Sequence, residues 1–158
     1  MRLLPIPIKP EGRSCVVIKL EEVEPGIVAY FDHAVLLREV DIDRDDDGID
    51  RPGPFVCIQV VGDKSVWGAV TSEWSRPRLL LKPEWRQDGN PRWTGRPQYL
   101  NDGLSTYVGP TAAFLRAASA EQPFTPFLRP RVTAPGISAI IAEVNRQGGP
   151  LLEGSIDV

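Results

Sequence analysis

The chain contains a single histidine, His33, so no catalytic site in it combines two imidazoles. An unperturbed imidazole titrates near neutral pH, so His33 is a candidate acid or base. The alternative is a structural or merely exposed histidine. Asp32 precedes it directly, but neighbours on an extended strand point to opposite faces, so this pair does not predict a catalytic dyad.

A basic and aromatic segment is the second chemical feature, in a chain whose formal charge is −3. Residues 76–96 carry six basic and two acidic side chains, a local charge of +4. Arginines bind phosphates, and aromatic rings stack on unpaired bases at about 1–3 kcal/mol per base. The segment therefore predicts a surface for single-stranded RNA, and its candidate residues are Arg76, Arg78, Arg86, Arg92, Arg96, Trp85 and Trp93.

The alternative for the tryptophans is that their rings fill a core or a dimer interface. That alternative is favoured for Trp67, which lies inside an apolar strand-like run. Trp85 and Trp93 are flanked by arginines and are therefore the better candidates for contact with RNA bases.

An acidic segment, residues 41–50, holds six acidic residues against one basic residue and is predicted to form a solvated loop. The letters from Asp43 to Gly48 spell D-x-D-x-D-G, the beginning of a calcium-binding loop. Pro54 stands where an EF-hand requires a bidentate glutamate, and no helix is indicated before the loop. A flexible loop beside an active groove is therefore favoured over a calcium site.

No metal or cofactor is predicted. One histidine and two distant cysteines, Cys15 and Cys57, do not supply the four ligands of a structural zinc site. Neither a G-x-G-x-x-G motif after a strand nor a Walker motif is present. The cysteines lie in strand-like runs, where buried, reduced thiols are typical of a cytoplasmic protein.

Length and composition predict one domain over residues 1–158, since 42% hydrophobic residues are enough to fill a core. The 14 glycines and 16 prolines favour a turn-rich, mainly β domain over a helix bundle. No apolar stretch approaches the roughly 20 residues that a membrane helix needs. We therefore expect a cytoplasmic protein that does not associate with membranes.

Alternation and turn residues predict strands at 14–22, 26–31, 55–61, 65–72, 79–81 and 104–108. A third apolar stretch covers 34–40. Thr111–Ala120 is predicted to be a helix with Thr111 as its cap. A second helix is predicted from the spacing of Ile137, Ile140, Ile141 and Val144, and Gly148-Gly149 ends it. The sum predicts a mainly β (α+β) fold: a small bent β-barrel over roughly 14–110, with a helical extension over roughly 111–148.

Four pieces follow one another in a fixed order between residues 24 and 110. They are Pro25-Gly26-Ile27-Val28, Arg51-Pro52 ahead of Phe55-Val56-Cys57-Ile58, Val70-Thr71-Ser72, and Gly103-Leu104-Ser105-Thr106-Tyr107-Val108. Their order and spacing resemble the PemK/MazF-like toxin endoribonucleases, the toxin halves of bacterial toxin–antitoxin pairs. The resemblance implies an SH3-like barrel, usually a homodimer, that cleaves single-stranded RNA without a metal and is silenced by an antitoxin protein.

The resemblance also implies site residues. Arg51 matches the family's arginine before a strand, and its planar guanidinium suits the dianionic phosphorane of RNA cleavage. Thr71 matches the strand-end threonine, whose hydroxyl binds the phosphate or orders the attacking group, and Ser72 is its candidate assistant. The alternatives are a surface arginine paired with Asp50, and strand and turn residues without a ligand. His33 completes the candidate catalytic set.

Two other functions remain open from the sequence. The first is a non-catalytic binding module, in which the same barrel recognises a protein partner or nucleic acid. The second is a calcium-stabilised interaction domain.

Overall fold

The computed structural model describes residues 17–44, 53–73, 78–101, 106–119 and 128–153. Within these ranges the chain forms an α+β fold whose strand pairings are all antiparallel. The strands are β1 Val28–Phe31, β2 Asp43–Arg44, β3 Gly53–Val61, β4 Lys64–Thr71, β5 Leu79–Leu81, β6 Arg86–Gln87, β7 Gln98–Leu100, β8 Tyr107–Pro110 and β9 Arg131–Val132. The helices are α1 His33–Arg38, α2 Pro91–Gly95, α3 Thr111–Ala117 and α4 Ala134–Gln147, and short 3-10 turns cover Leu20–Glu22 and Pro83–Trp85.

The hairpin of β3 and β4 forms the centre of the main sheet. Gly62 makes its turn at a φ of +61°, a conformation that glycine adopts without steric cost. The strand order is β1-β3-β4-β7-β5. The other edge of β4 is shared, because residues 64–67 pair with β8 while Val70 and Thr71 pair with β7. Strand β8 in turn pairs with β2.

Both faces of the hairpin are buried, and side chains alternate between two clusters. Trp67 and Ala69 face an aromatic cluster beneath α1 and α3, whose large rings are Phe31, Phe55, Trp67, Tyr107 and Phe114. Val66 and Val70 face an aliphatic cluster that α4 covers with Ile137, Ile140 and Val144. Within the aromatic cluster, the rings of Phe31 and Trp67 meet edge to face at 4.9 Å, a favoured geometry for aromatic pairs.

A bulge in β3 between Cys57 and Gln59 turns one polar side chain toward the C-terminal segment. The buried Gln59 amide accepts a hydrogen bond from the Leu152 N–H at 2.7 Å and donates to the Leu152 carbonyl at 3.2 Å. This side chain therefore pairs with a backbone unit as a neighbouring strand would, and it fixes residues 151–153 against the sheet.

Helix termini carry the expected signals. Asp32 caps α1 by accepting the Val35 N–H, Thr133 caps α4 by accepting the Gly136 N–H, and Gly148 ends α4 at a φ of +82°. Among the described helices, none combines the length and apolarity that crossing a bilayer requires.

A second set of pairings links β5 back to β1. Strand β5 continues through the 3-10 turn into β6, which pairs with β9. Next to β9, the Val132 N–H donates to the Gly26 carbonyl at 2.7 Å, and the Val28 N–H donates to the Pro130 carbonyl at 3.1 Å. Among the described residues the strands thus follow a circuit, but no continuous hydrogen-bonded ladder closes it into a barrel.

The structure confirms the strand predicted over 26–31, the hairpin predicted over 55–61 and 65–72, the short strand at 79–81 and the C-terminal helix. The strand predicted over 14–22 is wrong in its described part. There the Lys19 N–H donates to the Glu22 carboxylate at 2.9 Å, and a 3-10 turn forms. Thr111 is not a cap, because its hydroxyl is buried and bonds the Ser65 hydroxyl at 2.9 Å.

Three further segments contain elements that the sequence did not predict. Asp32 follows β1 and caps a helix, so the apolar stretch over 34–40 is largely helical. The predicted loop at 41–50 begins with a strand, because Asp43 and Arg44 pair with β8. Residues 82–96, for which the sequence predicts neither a strand nor a helix, contain a 3-10 turn, β6 and α2.

Gly26 joins the two halves of the strand circuit, and we expect Gly26→Ala to destabilise the fold by about 3 kcal/mol or more. Gly26 has a φ of +101°, and a Cβ there would lie 2.4 Å from the Val132 carbonyl oxygen. Gly95→Ala is the matched control, since Gly95 lies in α2 with open space around it. Thermal melting should show a large loss for the first variant and little change for the second. Equal melting temperatures would contradict the pairing at Gly26.

Cys57 is fully buried, and this burial raises the pKa of its thiol to about 12. The folded state therefore keeps the proton at pH values where the unfolded thiol has lost it. We expect the Cys57 contribution to stability to be complete below about pH 8.5 and to fall above it by about 1.4 kcal/mol per pH unit. Urea denaturation from pH 7 to 11 in a Cys15→Ser background measures this slope. Cys57→Ala should lack that component, and identical slopes would contradict the prediction.

Candidate functional site

Five strand ends meet at one end of the main sheet, and we call the residues there the rim. The rim consists of Asp32, which directly follows β1, and of four terminal strand residues, Gly53, Thr71, Leu81 and Gln98. Neighbouring strands lie about 4.8 Å apart, so the rim extends over roughly 19 Å.

Strand register brings the rim together. Phe31 pairs with Gly53, so α1 starts beside the beginning of β3. The β3–β4 register, in which Phe55 pairs with Ala69, places Gly53 opposite Thr71 when it is continued by two residues. On the other side of β4, Thr71 pairs with Tyr99, and the start of β7 pairs with the end of β5. Residues from distant parts of the chain therefore share one edge.

Thr71 is the last residue of β4 and is half-buried. It lies on the same face as Trp67 and Ala69, so its backbone is anchored by the aromatic cluster. Its Oγ1 accepts the N–H of Glu73 at 3.2 Å, which closes a short hydroxyl-stabilised turn. A hydroxyl that accepts one bond still has its own proton to donate, so Thr71 is able to donate to a phosphate oxygen. Ser72, in the same turn, is exposed.

Arg78 holds this turn. Its Nη1 donates to the Glu73 carbonyl at 2.7 Å, and its Nε donates to the Asn101 carbonyl at 3.3 Å. Asn101 is itself fixed, because its N–H donates to the Ala69 carbonyl at 2.8 Å. The half-buried guanidinium thus joins the segment after β4 to the segment after β7.

His33 is the first residue of α1, beside Asp32 at the rim, and its side chain lies outside the described structure. Asp32 lies between the last residue of β1 and the first residue of α1. Its carboxylate accepts the Val35 N–H at 3.2 Å, and its own N–H donates to the Ala117 carbonyl at 2.7 Å. Asp32 therefore serves as a helix cap, a role in which a carboxylate also stabilises the positive end of the helix dipole.

Two side chains that were predicted to contact RNA, those of Arg86 and Trp93, are buried, and the prediction is wrong for them. Arg86 is 7% exposed and Trp93 is 6% exposed. Arg86 donates to the carbonyls of Leu81, Trp93 and Arg96, and it lies 5.9 Å from the centre of the Trp93 ring. The Trp93 indole donates to the Gln87 carbonyl at 3.1 Å. Both side chains belong to the interior, where they hold α2 against the ends of β5 and β7.

Burial lowers the pKa of Arg86, because the charged guanidinium is desolvated. Among the described residues no carboxylate lies in ion-pair contact with it, and carbonyl oxygens take that place. Gln98 adds a parallel contact, since its amide donates to the Arg92 carbonyl at 3.1 Å. These bonds fix the basic segment relative to the rim.

Four further basic or aromatic residues of the segment 76–96 are exposed or half-buried, and we call them the basic patch: Lys82, Trp85, Arg92 and Arg96. Lys82 follows the last residue of β5, and Arg96 precedes β7 by two residues. Arg92 and Arg96 are exposed. Trp85 is half-buried against α4, and the Lys82 ammonium lies 5.2 Å from the centre of its ring. The patch thus adjoins the rim along the chain at two points, Leu81 and Gln98.

Several predicted residues lie outside the described residues: Arg51, Arg76, Cys15 and the Asp45–Gly48 part of the acidic segment. Within the described ranges, no three His, Cys, Asp or Glu side chains gather in a way that is able to hold a metal ion.

Sequence reasoning missed the contact between Arg78 and the main-chain oxygens of Glu73 and Asn101. A turn signal was present, since Asn101-Asp102-Gly103 is a combination typical of turns. It indicates a loop after β7, but it does not indicate which arginine binds that loop.

Comparisons with protein-family models, with curated proteins and with solved structures give no match.

Substitution of Arg86 tests whether its hydrogen bonds to the Leu81, Trp93 and Arg96 carbonyls stabilise the fold. We expect Arg86→Gln to destabilise the fold by about 2–4 kcal/mol, because several buried carbonyls lose a charged donor. Arg92→Gln is the control, since that side chain is exposed and its change should stay within about 0.5 kcal/mol. Chemical denaturation of the two variants and the parent measures the difference. An Arg86→Gln variant as stable as the parent would contradict the buried contact.

Proposed function

We propose that the protein is a metal-independent endoribonuclease of the PemK/MazF-like toxin type, which cleaves single-stranded RNA and is controlled by an antitoxin partner. The observation that carries the proposal is the register of the β3–β4 hairpin, which sets Gly53 opposite Thr71. Arg51 precedes Gly53 by two residues in the sequence. We assign its guanidinium to the same site as the Thr71 hydroxyl.

The reaction needs no cofactor in this proposal. The ribose 2′-hydroxyl attacks the adjacent phosphorus while a base takes its proton, and the bond from phosphorus to the 5′-oxygen breaks as that oxygen gains a proton. The products are a 2′,3′-cyclic phosphate and a 5′-hydroxyl. His33, at the start of α1, is the candidate for proton transfer.

Arg51 and Thr71 have electrostatic roles. The phosphorane carries two negative charges, and donors already aimed at its oxygens lower the barrier because they need no reorganisation. Arg51 supplies two parallel N–H donors, while Thr71 and Ser72 supply hydroxyl donors from the turn after β4. The anchoring of β4 between two clusters supports this preorganisation of Thr71.

Substrate binding is assigned to the basic patch and to Arg76. Arg78 is not assigned to it, because its Nε and Nη1 donate to the Asn101 and Glu73 carbonyls. Lys82, Arg92 and Arg96 supply positive charge beside the rim, and the exposed part of Trp85 offers a surface on which a base stacks. Arg86 and Trp93 are not part of this surface, because they are buried.

The SH3-like barrel is the finer architecture that we propose for the strand circuit. It is supported by the sharing of β4 between two partners on one edge and by the contact of β9 with Gly26 and Val28. The homodimer and the antitoxin complex belong to the same proposal.

Induced expression in a bacterial host tests the function. We expect growth arrest and fragmented messenger RNA with the parent, and a loss of cleavage of about 100-fold or more with Arg51→Ala and with Thr71→Val. Arg146→Ala is the matched control, because Arg146 is exposed on α4 and pairs with Glu143. Purified parent should cut an RNA oligomer in the presence of a chelator and leave 5′-hydroxyl ends.

Normal growth and intact RNA with the parent would overturn the nuclease and favour the binding module. Full activity of Arg51→Ala would instead remove Arg51 from the site. Inactivity of the Arg146→Ala control would show that the assay reports folding rather than chemistry.

A further inference from the structure

We propose that Arg78 is the positioning residue of the candidate site: it bridges the Glu73 and Asn101 carbonyls and thereby holds the turn that carries Thr71 and Ser72. The catalytic part of this inference rests on the proposed nuclease function. The bridge itself is a property of the free protein and is testable without RNA.

The position of Arg78 in the chain explains why it is able to do this. Arg78 directly precedes β5, whose Leu79 pairs with the buried Leu100 of β7, so its backbone is fixed. Strand β7 lies between β5 and β4 in the sheet. The side chain therefore reaches past the end of β7, where it meets the Asn101 carbonyl, to the segment after β4, where it meets the Glu73 carbonyl.

The Thr71 turn depends on that second contact. Glu73 donates its N–H to the Thr71 hydroxyl oxygen at 3.2 Å, and its carbonyl accepts the Arg78 Nη1 at 2.7 Å. Arg78 thus fixes the orientation of the Glu73 backbone, and the Glu73 backbone in turn fixes the Thr71 hydroxyl through a hydrogen bond. A displacement of about 1 Å at a reacting group is enough to lower a rate about 100-fold, so a lost bridge is expected to matter for catalysis.

The geometry requires an arginine. Nε and Nη1 are held rigidly in one plane, and they reach two carbonyls that belong to different loops. A lysine keeps the charge, but its single ammonium does not reproduce this fixed pair of donors. The comparison of arginine, lysine and glutamine at this position therefore separates a bridge from a simple positive charge.

The experiment measures cleavage of a single-stranded RNA oligomer and amide hydrogen exchange for the parent, Arg78→Lys, Arg78→Gln and the control Arg146→Gln. We expect both Arg78 variants to lower kcat by about 10- to 100-fold, because the Thr71 hydroxyl is displaced. KM should change less than about threefold, because the residues that bind the substrate stay in place. In the free proteins, the amides of Glu73 and Asn101 should exchange about tenfold faster or more. The control should match the parent in every measurement.

Three results would overturn the inference. The first is a kcat of Arg78→Lys equal to that of the parent, which would mean that Arg78 acts through its positive charge alone. The second is a raised KM with unchanged kcat and a weaker salt dependence, which would assign a direct phosphate contact. The third is unchanged exchange at Glu73 and Asn101 in both variants. If the parent cleaves no RNA, the nuclease proposal fails, while the exchange rates still decide whether Arg78 forms the bridge. Arg78→Lys serves as the second variant should Arg78→Gln fail to fold.

Discussion

The fold depends on one strand, β4, which satisfies three partners at once. Its backbone pairs with β3 along one edge, and on the other edge it pairs first with β8 and then with β7. Buried peptide groups that lack a hydrogen bond cost about 1–3 kcal/mol each, so a strand buried on both faces has to pair along its length. The division between β8 and β7 meets this requirement although neither partner is long enough to do so alone. It also brings the end of β4 beside the start of β7, which Arg96 of the basic patch precedes by two residues.

Burial on both faces is what holds β4 in register. A shift of one residue would move Trp67 from the aromatic cluster to the opposite face, where even a Cβ at Gly68 would lie 2.9 Å from the Leu100 Cδ1. Each large side chain contributes about 1.5–3 kcal/mol by burial. The Trp67 indole N–H donates to the Ser65 hydroxyl at 2.9 Å, and the Thr111 hydroxyl donates to the same oxygen. The register that buries Trp67 therefore also satisfies these buried polar groups. Because this register is fixed, the position of Thr71 at the strand end is fixed as well.

The elements that the sequence predicted well are those in which local pattern and tertiary contact agree. The β-branched runs around Val56 and Val66, the Gly62 turn and the apolar face of α4 each point to one structure. Disagreement appears where a single polar side chain decides. Asp32 turns the end of a strand-like run into a helix, and Glu22 turns another into a 3-10 turn. Such side-chain bonds to the backbone leave no periodic pattern, so periodicity alone does not predict them.

The candidate site shows the same division between local and distant information. Composition predicted a basic aromatic segment, and Arg92 and Arg96 are indeed exposed within it. It did not predict that Arg86 and Trp93 would be buried, because their burial depends on where the ends of β5 and β7 meet α2. The counted charge of residues 76–96 therefore exceeds the charge that the segment presents to a ligand. The overall charge of −3 does not oppose RNA binding by itself. Charges are largely screened beyond about 8 Å at physiological salt. The potential that a phosphate meets at the rim is therefore set by the charges close to it, which are the exposed cations of the basic patch and the exposed carboxylates of Asp32 and Glu73.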